Sequence, residues 1–335
     1  MEYTVLGKTG LHISRMGFGG IPIQKVDAKV TRSLMEELSA QGINYIDTAR
    51  GYTVSEQFLG EALEGIRDQF VVATKSMART REGMAGDIEI SLKNLRTDHI
   101  DLYQVHNPSP ADLDKVIGED GALQALLEAK AAGKIHHIGL TAHSLEVFER
   151  ALEMDWVETI MFPYNIVETQ GEALMRRCTE KKIGFICMKP LAGGALEDAD
   201  LALRFIGRNP DVSVVIPGMY DVKEIRQNAQ AVCREEALSE EELEKIRQIR
   251  QTLGTQFCRR CNYCQPCTAG INISGAFLFE GYLKRYGLED WARQRYMAME
   301  KKAEDCVGCG ICETRCPYQL PIREMLARCR KAFGA

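Results

Sequence analysis

The sequence predicts an α/β chain in which a parallel (β/α)8 barrel of the TIM type is followed by a small, mostly helical domain. Three observations predict it. Short apolar runs alternate with amphipathic helical patterns through residue 255, no Gly-x-Gly-x-x-Gly follows the first strand, and eight of the 12 cysteines crowd into two tight runs near the end.

Taken in order, residues 3–14 read as a hairpin turning around Gly7 and Gly10. Strands are expected at 15–19, 44–48, 70–75, 99–106, 136–141, 159–164, 184–189 and 212–217. Between them apolar residues recur at helical spacing over 30–40, 88–95, 123–132, 145–154 and 173–181. Strands that each feed a helix close into a parallel barrel. An open doubly wound sheet is the alternative, but its Gly-rich first turn is missing. Ser239 and Glu242 have capping-box spacing and open one more helix to Leu253, which Gly254 ends. No strand pattern follows, so the expected domains are 1–255 and 256–335.

A chain of 335 residues, 45% hydrophobic and 27% charged, can bury a barrel core with room for a small extra domain. A net charge of −5 makes no electrostatic case for nucleic acid or anionic lipid. No segment reaches the roughly 18 consecutive apolar residues of a membrane span. Residues 1–14 carry neither a basic start nor a sustained apolar run, so no signal peptide is expected and a cytoplasmic location is.

In a parallel barrel the chemistry gathers at the carboxyl ends of the strands. Asp47 ends the second expected strand, Tyr52 lies in the loop after it, Lys75 ends the third and His106 the fourth. These types suit carbonyl reduction, in which a proton reaches oxygen while hydride reaches carbon. A phenol can give that proton, a neighbouring ammonium eases its departure, a carboxylate keeps the ammonium charged, and an imidazole can orient the substrate oxygen. Singly, each has an ordinary reading: a helix cap, a solvated strand end, a core histidine. Their convergence on one mouth carries the argument.

The segments DTARGY, TKS and YQVHN, with SEQFLGEAL after the tyrosine and IPG at the eighth strand, resemble the aldo-keto reductase family over residues 1–235. The resemblance implies that Tyr52 is the general acid, Lys75 and Asp47 its tuning pair, and His106 the orienting residue. It also implies a nicotinamide dinucleotide, NADP or NAD, held by Thr141, Asn165, Lys189, Pro190, Leu191, Gly193, Ile216, Pro217, Gly218, Met219, Arg226 and Asn228. Where many members pair the 2′-phosphate with lysine and arginine, this chain has Gly218 and Glu224, with Arg226 as a substitute, so the choice of dinucleotide stays open. The family's Ser-Asn pair after the fifth strand stands here as Thr141-Ala142, followed by His143, and its glutamine on the sixth strand as Met161.

Cys258, Cys261, Cys264 and Cys267 form C-x2-C-x2-C-x2-C, while Cys306, Cys309, Cys312 and Cys316 form C-x2-C-x2-C-x3-C followed by Pro317. Three thiolates at successive two-residue gaps can face one cubane, and the fourth of each run tends to ligate the other cluster. One [4Fe-4S] cluster is therefore assigned to Cys258, Cys261, Cys264 and Cys316, and a second to Cys306, Cys309, Cys312 and Cys267. The tail resembles a helical two-cluster ferredoxin domain. Structural zinc is the alternative, but zinc pairs two C-x2-C knuckles and leaves no further cysteine in each run. Cys329 reads as a buried thiol. From residue 256 on, 13 Lys plus Arg face 8 Asp plus Glu. That excess offsets cluster charge or docks an acidic donor such as ferredoxin or flavodoxin.

The leading expectation is an iron-sulfur aldo-keto reductase acting on the carbonyl or conjugated enone of a small molecule. The alternatives are a reductase fed single electrons through its clusters and a non-catalytic redox sensor or electron-transfer subunit. Barrel specificity lies in loops without recognisable pattern, so neither the substrate nor the oligomeric state is legible.

Overall fold

In the computed structural model, which describes residues 1–334, a hairpin of β1 (Tyr3–Val5) and β2 (His12–Ser14) turns through a 3₁₀ segment at Gly7–Thr9. Gly7 has φ +55°, and a Cβ there would stand 2.2 Å from the backbone nitrogen of Gly184, so only glycine fits. The hairpin places Leu6 and Ile13 against Tyr45, Ala73, Leu102, Met161, Ile186 and Val214, which together fill the inside of the barrel.

The barrel strands are β3 (Phe18–Gly19), β4 (Tyr45–Asp47), β5 (Val71–Ser76), β6 (Ile100–Val105), β7 (Ile135–Thr141), β8 (Thr159–Pro163), β9 (Gly184–Met188) and β10 (Val214–Val215). All neighbours are parallel and follow chain order. The seam between β10 and β3 is closed by parallel bridges Met16↔Val215 and Gly19↔Gly218, with Gly17 N donating to Val215 O at 2.8 Å and Gly19 N to Pro217 O at 2.9 Å. The strands at that seam are shorter than the sequence suggests: the expected 15–19 and 212–217 contract to Phe18–Gly19 and Val214–Val215, because pairing across the seam is carried by isolated bridges.

Around the barrel run α1 (Ala28–Ala40), α2 (Ser55–Ala62), α3 (Arg81–Leu95), α4 (Pro110–Ile117), α5 (Ala122–Ala131), α6 (Leu145–Ala151), α7 (Glu172–Glu180), α8 (Ala199–Gly207) and α9 (Val222–Val232). Helix α1 shows the logic: Asp27 caps it by accepting from Val30 N at 2.8 Å, and Thr31, Leu34, Met35 and Leu38 bury one face against the strands. Every residue of β6 is buried, as a strand with helices outside and packed side chains inside requires.

Contacts divide the chain into two compact units. The first comprises Met1–Asn165, Thr169–Leu191 and Asp198–Ala237; the second comprises Ile166–Glu168, Ala192–Glu197 and the chain from Leu238 on. The second unit holds α10 (Glu240–Thr252), α11 (Ile273–Lys284), α12 (Glu289–Met297), α13 (Ile311–Arg315) and α14 (Ile322–Phe333). Ser239 and Glu242 form the capping box of α10, and a 3₁₀ turn at Leu253–Thr255 succeeds it. The core of this unit gathers Ile271, Ile273, Ala276, Phe277, Tyr296, Leu326 and Phe333, with the rings of Tyr296 and Phe333 stacked at 3.8 Å. Among the described residues no helix is long and apolar enough to cross a membrane.

Helices α2 and α3 cross so closely that a Cβ on Gly60 would lie 2.1 Å from Asn94 O and 2.8 Å from the carbonyl carbon of Leu95. Gly60→Ala should therefore destabilise the barrel by about 1–3 kcal/mol. Its thermal midpoint, followed by far-ultraviolet circular dichroism, should fall; an unchanged midpoint contradicts the close crossing.

Candidate active site and cysteine cavities

The barrel mouth is assembled from the ends of three neighbouring strands. Asp47 ends β4, Lys75 lies near the end of β5, and the β5–β6 register sets Lys75 opposite Gln104. Lys75 Nζ donates to Asp47 Oδ2 and, at 2.8 Å, to the carbonyl oxygen of Thr48. Gln104 Nε2 donates to Asp47 Oδ1 at 3.1 Å. Asp47 is 3% exposed and Lys75 2%. Burial raises the Asp47 carboxyl above its usual range and lowers the Lys75 ammonium, each effect opposed by the charge of the other.

Tyr52 sits in the turn after β4, its N–H bonded to Ala49 O at 3.0 Å. Lys75 Nζ lies 4.9 Å from the centroid of its ring. The ring of His106, just past β6, meets Tyr52 edge-on with centroids 6.2 Å apart at 89°. Asp47, Tyr52, Lys75 and His106 are thus brought together.

Behind them lies a layer that the sequence reading missed. Glu56, 1% exposed, accepts from Thr74 Oγ1 and Ser91 Oγ at 2.8 Å each, from Arg50 at 2.9 Å and from Asn94 Nδ2 at 3.1 Å. Thr48 Oγ1 and Ser55 Oγ are 2.8 Å apart, and Ser55 Oγ donates to Gly20 O at 3.0 Å. Gln104 did leave a signal: it is a polar residue two positions before His106 in a buried strand, and strand periodicity puts both on one face. Past β6, His143 Nδ1 and Asn107 Oδ1 stand 2.9 Å apart, and Arg79 donates to His106 O at 2.8 Å.

The residues expected to hold a dinucleotide are placed less uniformly. Asn165 is buried, with Nδ2 donating to Lys189 O at 2.9 Å. Lys189, at φ +56°, leads into Pro190 and Leu191. Ile216 belongs to the inner barrel core, Pro217 O accepts from Gly19 N, and Gly218 lies so close to Pro22 that a Cβ would be 2.9 Å from its ring. Met219 is fully buried and Asn228 nearly so. Thr141 Oγ1 accepts from Asn107 N at 2.9 Å. Arg226 donates through one edge to Glu37, with Nε and one terminal nitrogen each 2.8 Å from a carboxylate oxygen. Gly193 belongs to the second unit, where its carbonyl accepts from Arg285 Nε at 2.8 Å. Of the polar side chains expected to meet a dinucleotide, the Asn165 amide bonds to Lys189 O and the Arg226 guanidinium pairs with Glu37.

In the second unit two cavities collect the clustered thiols. One is lined by Cys258, Cys261, Cys264 and Cys316, the other by Cys267, Cys306, Cys309 and Cys312, and Ile273 borders both. Gly308 and Gly310, at φ +71° and +76°, supply the left-handed turns that bend the second run around its cavity. Among the described residues no three cysteine sulfurs lie within 4.8 Å of one another. Tetrahedral zinc, with Zn–S bonds near 2.3 Å, needs thiolates about 3.8 Å apart. A cubane sets its thiolates wider, since its own edges intervene, and four thiols around each cavity form a donor set that fits an iron-sulfur cluster. Burial pushes the Cys258 thiol up to about 11 and Cys264 up to about 12, so ligation has to displace protons from them. Cys329 lines neither cavity; it is buried and donates to Ala276 O at 3.5 Å.

Comparison with known proteins agrees with this geometry. Residues 15–200 match the aldo/keto reductase family, and residues 257–321 match the 4Fe-4S dicluster domain. The chain is similar to L-galactose dehydrogenase of Arabidopsis thaliana, 28% identical across 71% of this chain and 90% of that protein. It is also similar to aldo-keto reductase YhdN of Bacillus subtilis, 32% identical across 59% of this chain and 66% of that one. Among solved structures, the holo form of aldo-keto reductase AKR11C1 from Bacillus halodurans superposes with a TM-score of 0.65 at 26% identity, covering 74% of this chain and 96% of its own.

The cavity linings separate ligand from bystander. Cys312→Ser should lower the iron and acid-labile sulfide of anaerobically purified protein by about half, whereas Cys329→Ser should leave both unchanged. Equal losses in the two variants contradict the assignment.

Proposed function

Because the chain belongs to the aldo/keto reductase family and carries a 4Fe-4S dicluster domain, we propose that it reduces the carbonyl, or conjugated enone, of a small molecule with a nicotinamide dinucleotide, and that its region beyond residue 255 holds two [4Fe-4S] clusters. The observation that carries the reading is the Lys75 ammonium, paired with buried Asp47 and 4.9 Å from the centroid of the Tyr52 ring.

Bound NAD or NADP would supply hydride to the carbonyl carbon. The chain's own residues do the rest. Tyr52 holds the proton that the substrate oxygen receives, and the ammonium of Lys75 stabilises the phenolate left behind. Asp47 keeps Lys75 charged despite its burial, and Gln104 and Thr48 fix both in place. His106, edge-on to Tyr52, orients the substrate oxygen. Asn165, Thr141, Lys189 to Leu191, Ile216 to Met219 and Asn228 would hold the dinucleotide. Arg226 pairs with Glu37, only 10% exposed, through one edge of its guanidinium, and would offer a 2′-phosphate the other edge.

In this reading Cys258, Cys261, Cys264 and Cys316 hold one cluster, and Cys267, Cys306, Cys309 and Cys312 the other. A second reading rests on the dicluster domain itself: clusters carry electrons singly, and a donor such as ferredoxin or flavodoxin would feed the barrel through them. Either reaction belongs in a reducing cytoplasm, where such clusters persist.

Tyr52→Phe distinguishes the two. Nicotinamide-dependent carbonyl reduction should fall by about 10²- to 10⁴-fold with iron and sulfide content unchanged; an undiminished rate sinks the hydride reading. Because burial lowers the Lys75 ammonium, the wild-type rate should decline on the alkaline side below the ordinary lysine value of about 10.4. A pH–rate profile of kcat/KM that stays flat to that value contradicts the role given to Lys75.

A further inference from the structure

We propose that His99, Asp101 and His136 form a site for a divalent transition-metal ion of the zinc or nickel type, at the amino ends of β6 and β7. This end is opposite the one that carries Lys75 and His106, and the site does not depend on the proposed reaction. Each of the three residues offers one ligand atom, and the three atoms all lie within 4.8 Å of one another. Among the described residues this is the one such group of histidine, cysteine or acidic side chains.

The sheet holds the group together. Register pairs Ile100 with Ile135 and Leu102 with His137, so Asp101 and His136 sit side by side on adjacent strands while His99 enters from the residue before β6. The imidazoles of His99 and His136 stack with centroids 4.7 Å apart, and His136 Nδ1 stands 4.0 Å from Asp101 Oδ1.

Outer partners orient the ligands as metal sites require. His99 Nδ1 and Asp98 Oδ1 are 2.7 Å apart, which leaves Nε2 as the atom for a metal. Asp101 Oδ2 accepts from Arg67 at 2.7 Å and from Val72 N at 2.9 Å, which fixes the carboxylate with Oδ1 facing His136. Asp101 and the exposed Asp98 offer two carboxylates to a cation, against the one guanidinium of Arg67.

Metal bonds near 2.0–2.1 Å put neighbouring donors about 3–3.4 Å apart. The present separations must therefore shrink by roughly 1 Å, which rotation of the two imidazoles, 29% and 44% exposed, can supply. Two imidazoles and one carboxylate select a borderline ion such as Zn²⁺, Ni²⁺ or Co²⁺ over Mg²⁺ or Ca²⁺, with water completing the shell. At the amino ends of barrel strands such an ion clamps β6 to β7 and takes no part in chemistry at the mouth.

The test uses the full-length, cluster-loaded protein, dialysed without oxygen against micromolar NiCl₂, with nickel, iron and sulfide measured on one sample. Wild type should retain about one nickel per chain, and its thermal midpoint should rise with added nickel. His99→Gln and His136→Gln, examined separately, should each weaken retention at least tenfold with iron and sulfide unchanged. His12→Ala, which removes an exposed histidine from β2, should retain nickel like wild type. Nickel uptake that is absent, that survives both glutamine substitutions, or that occurs only with loss of iron overturns the site.

Discussion

At the mouth of the barrel two opposite charges, Lys75 and Asp47, are paired almost out of reach of water. Desolvation penalises each ion by several kcal/mol, and their attraction offsets that only where every remaining donor and acceptor is satisfied. The surroundings meet that demand: Thr48 O takes a second proton of the ammonium, and Gln104 supplies the other carboxylate oxygen. Both helpers lie in strands, or directly after one, so the pair needs β4, β5 and β6 side by side before it can exist. Removing one partner would strand the other charge, a change that commonly costs about 3–5 kcal/mol. The buried Glu56 network ties α2 and α3 to β5 just behind the pair, and so extends the same constraint outward.

The second unit solves a different problem. Its helices bury a modest apolar core around Ile273, Phe277 and Leu326, while its thiols surround two cavities that apolar side chains do not fill. Protonated thiols there make few and weak hydrogen bonds, such as Arg260 N to Cys258 Sγ; iron and sulfide would give them strong partners and link Cys267 and Cys316 to the opposite run. Cluster loading would therefore couple to folding in this unit, in contrast to a barrel whose stability comes from packed layers.

Much of this arrangement is legible in the sequence, for identifiable reasons. Parallel strands buried on both faces read as apolar runs, so the order of elements and the positions of Asp47, Lys75 and His106 at strand ends follow from a linear pattern. Cysteine spacing is likewise a local signal. What the sequence conceals are partnerships across distance. Glu56 reads as a surface residue of an amphipathic helix and is in fact among the most buried acids. Arg226 is bound to Glu37, 189 residues away, which no local pattern reveals. The seam strands are shortened by pairing between the two ends of the barrel, and His99 meets His136 only because β6 and β7 are neighbours.

The account rests on hydride and proton converging at the Tyr52–Lys75 end of the barrel, and the origin of the new C–H bond tests it most directly. With nicotinamide deuterated at C4, in ordinary water and without oxygen, mass spectrometry of the alcohol product should find deuterium on the former carbonyl carbon. A product whose carbon carries only solvent hydrogen would mean that electrons arrive singly and that the buried pair serves some other end.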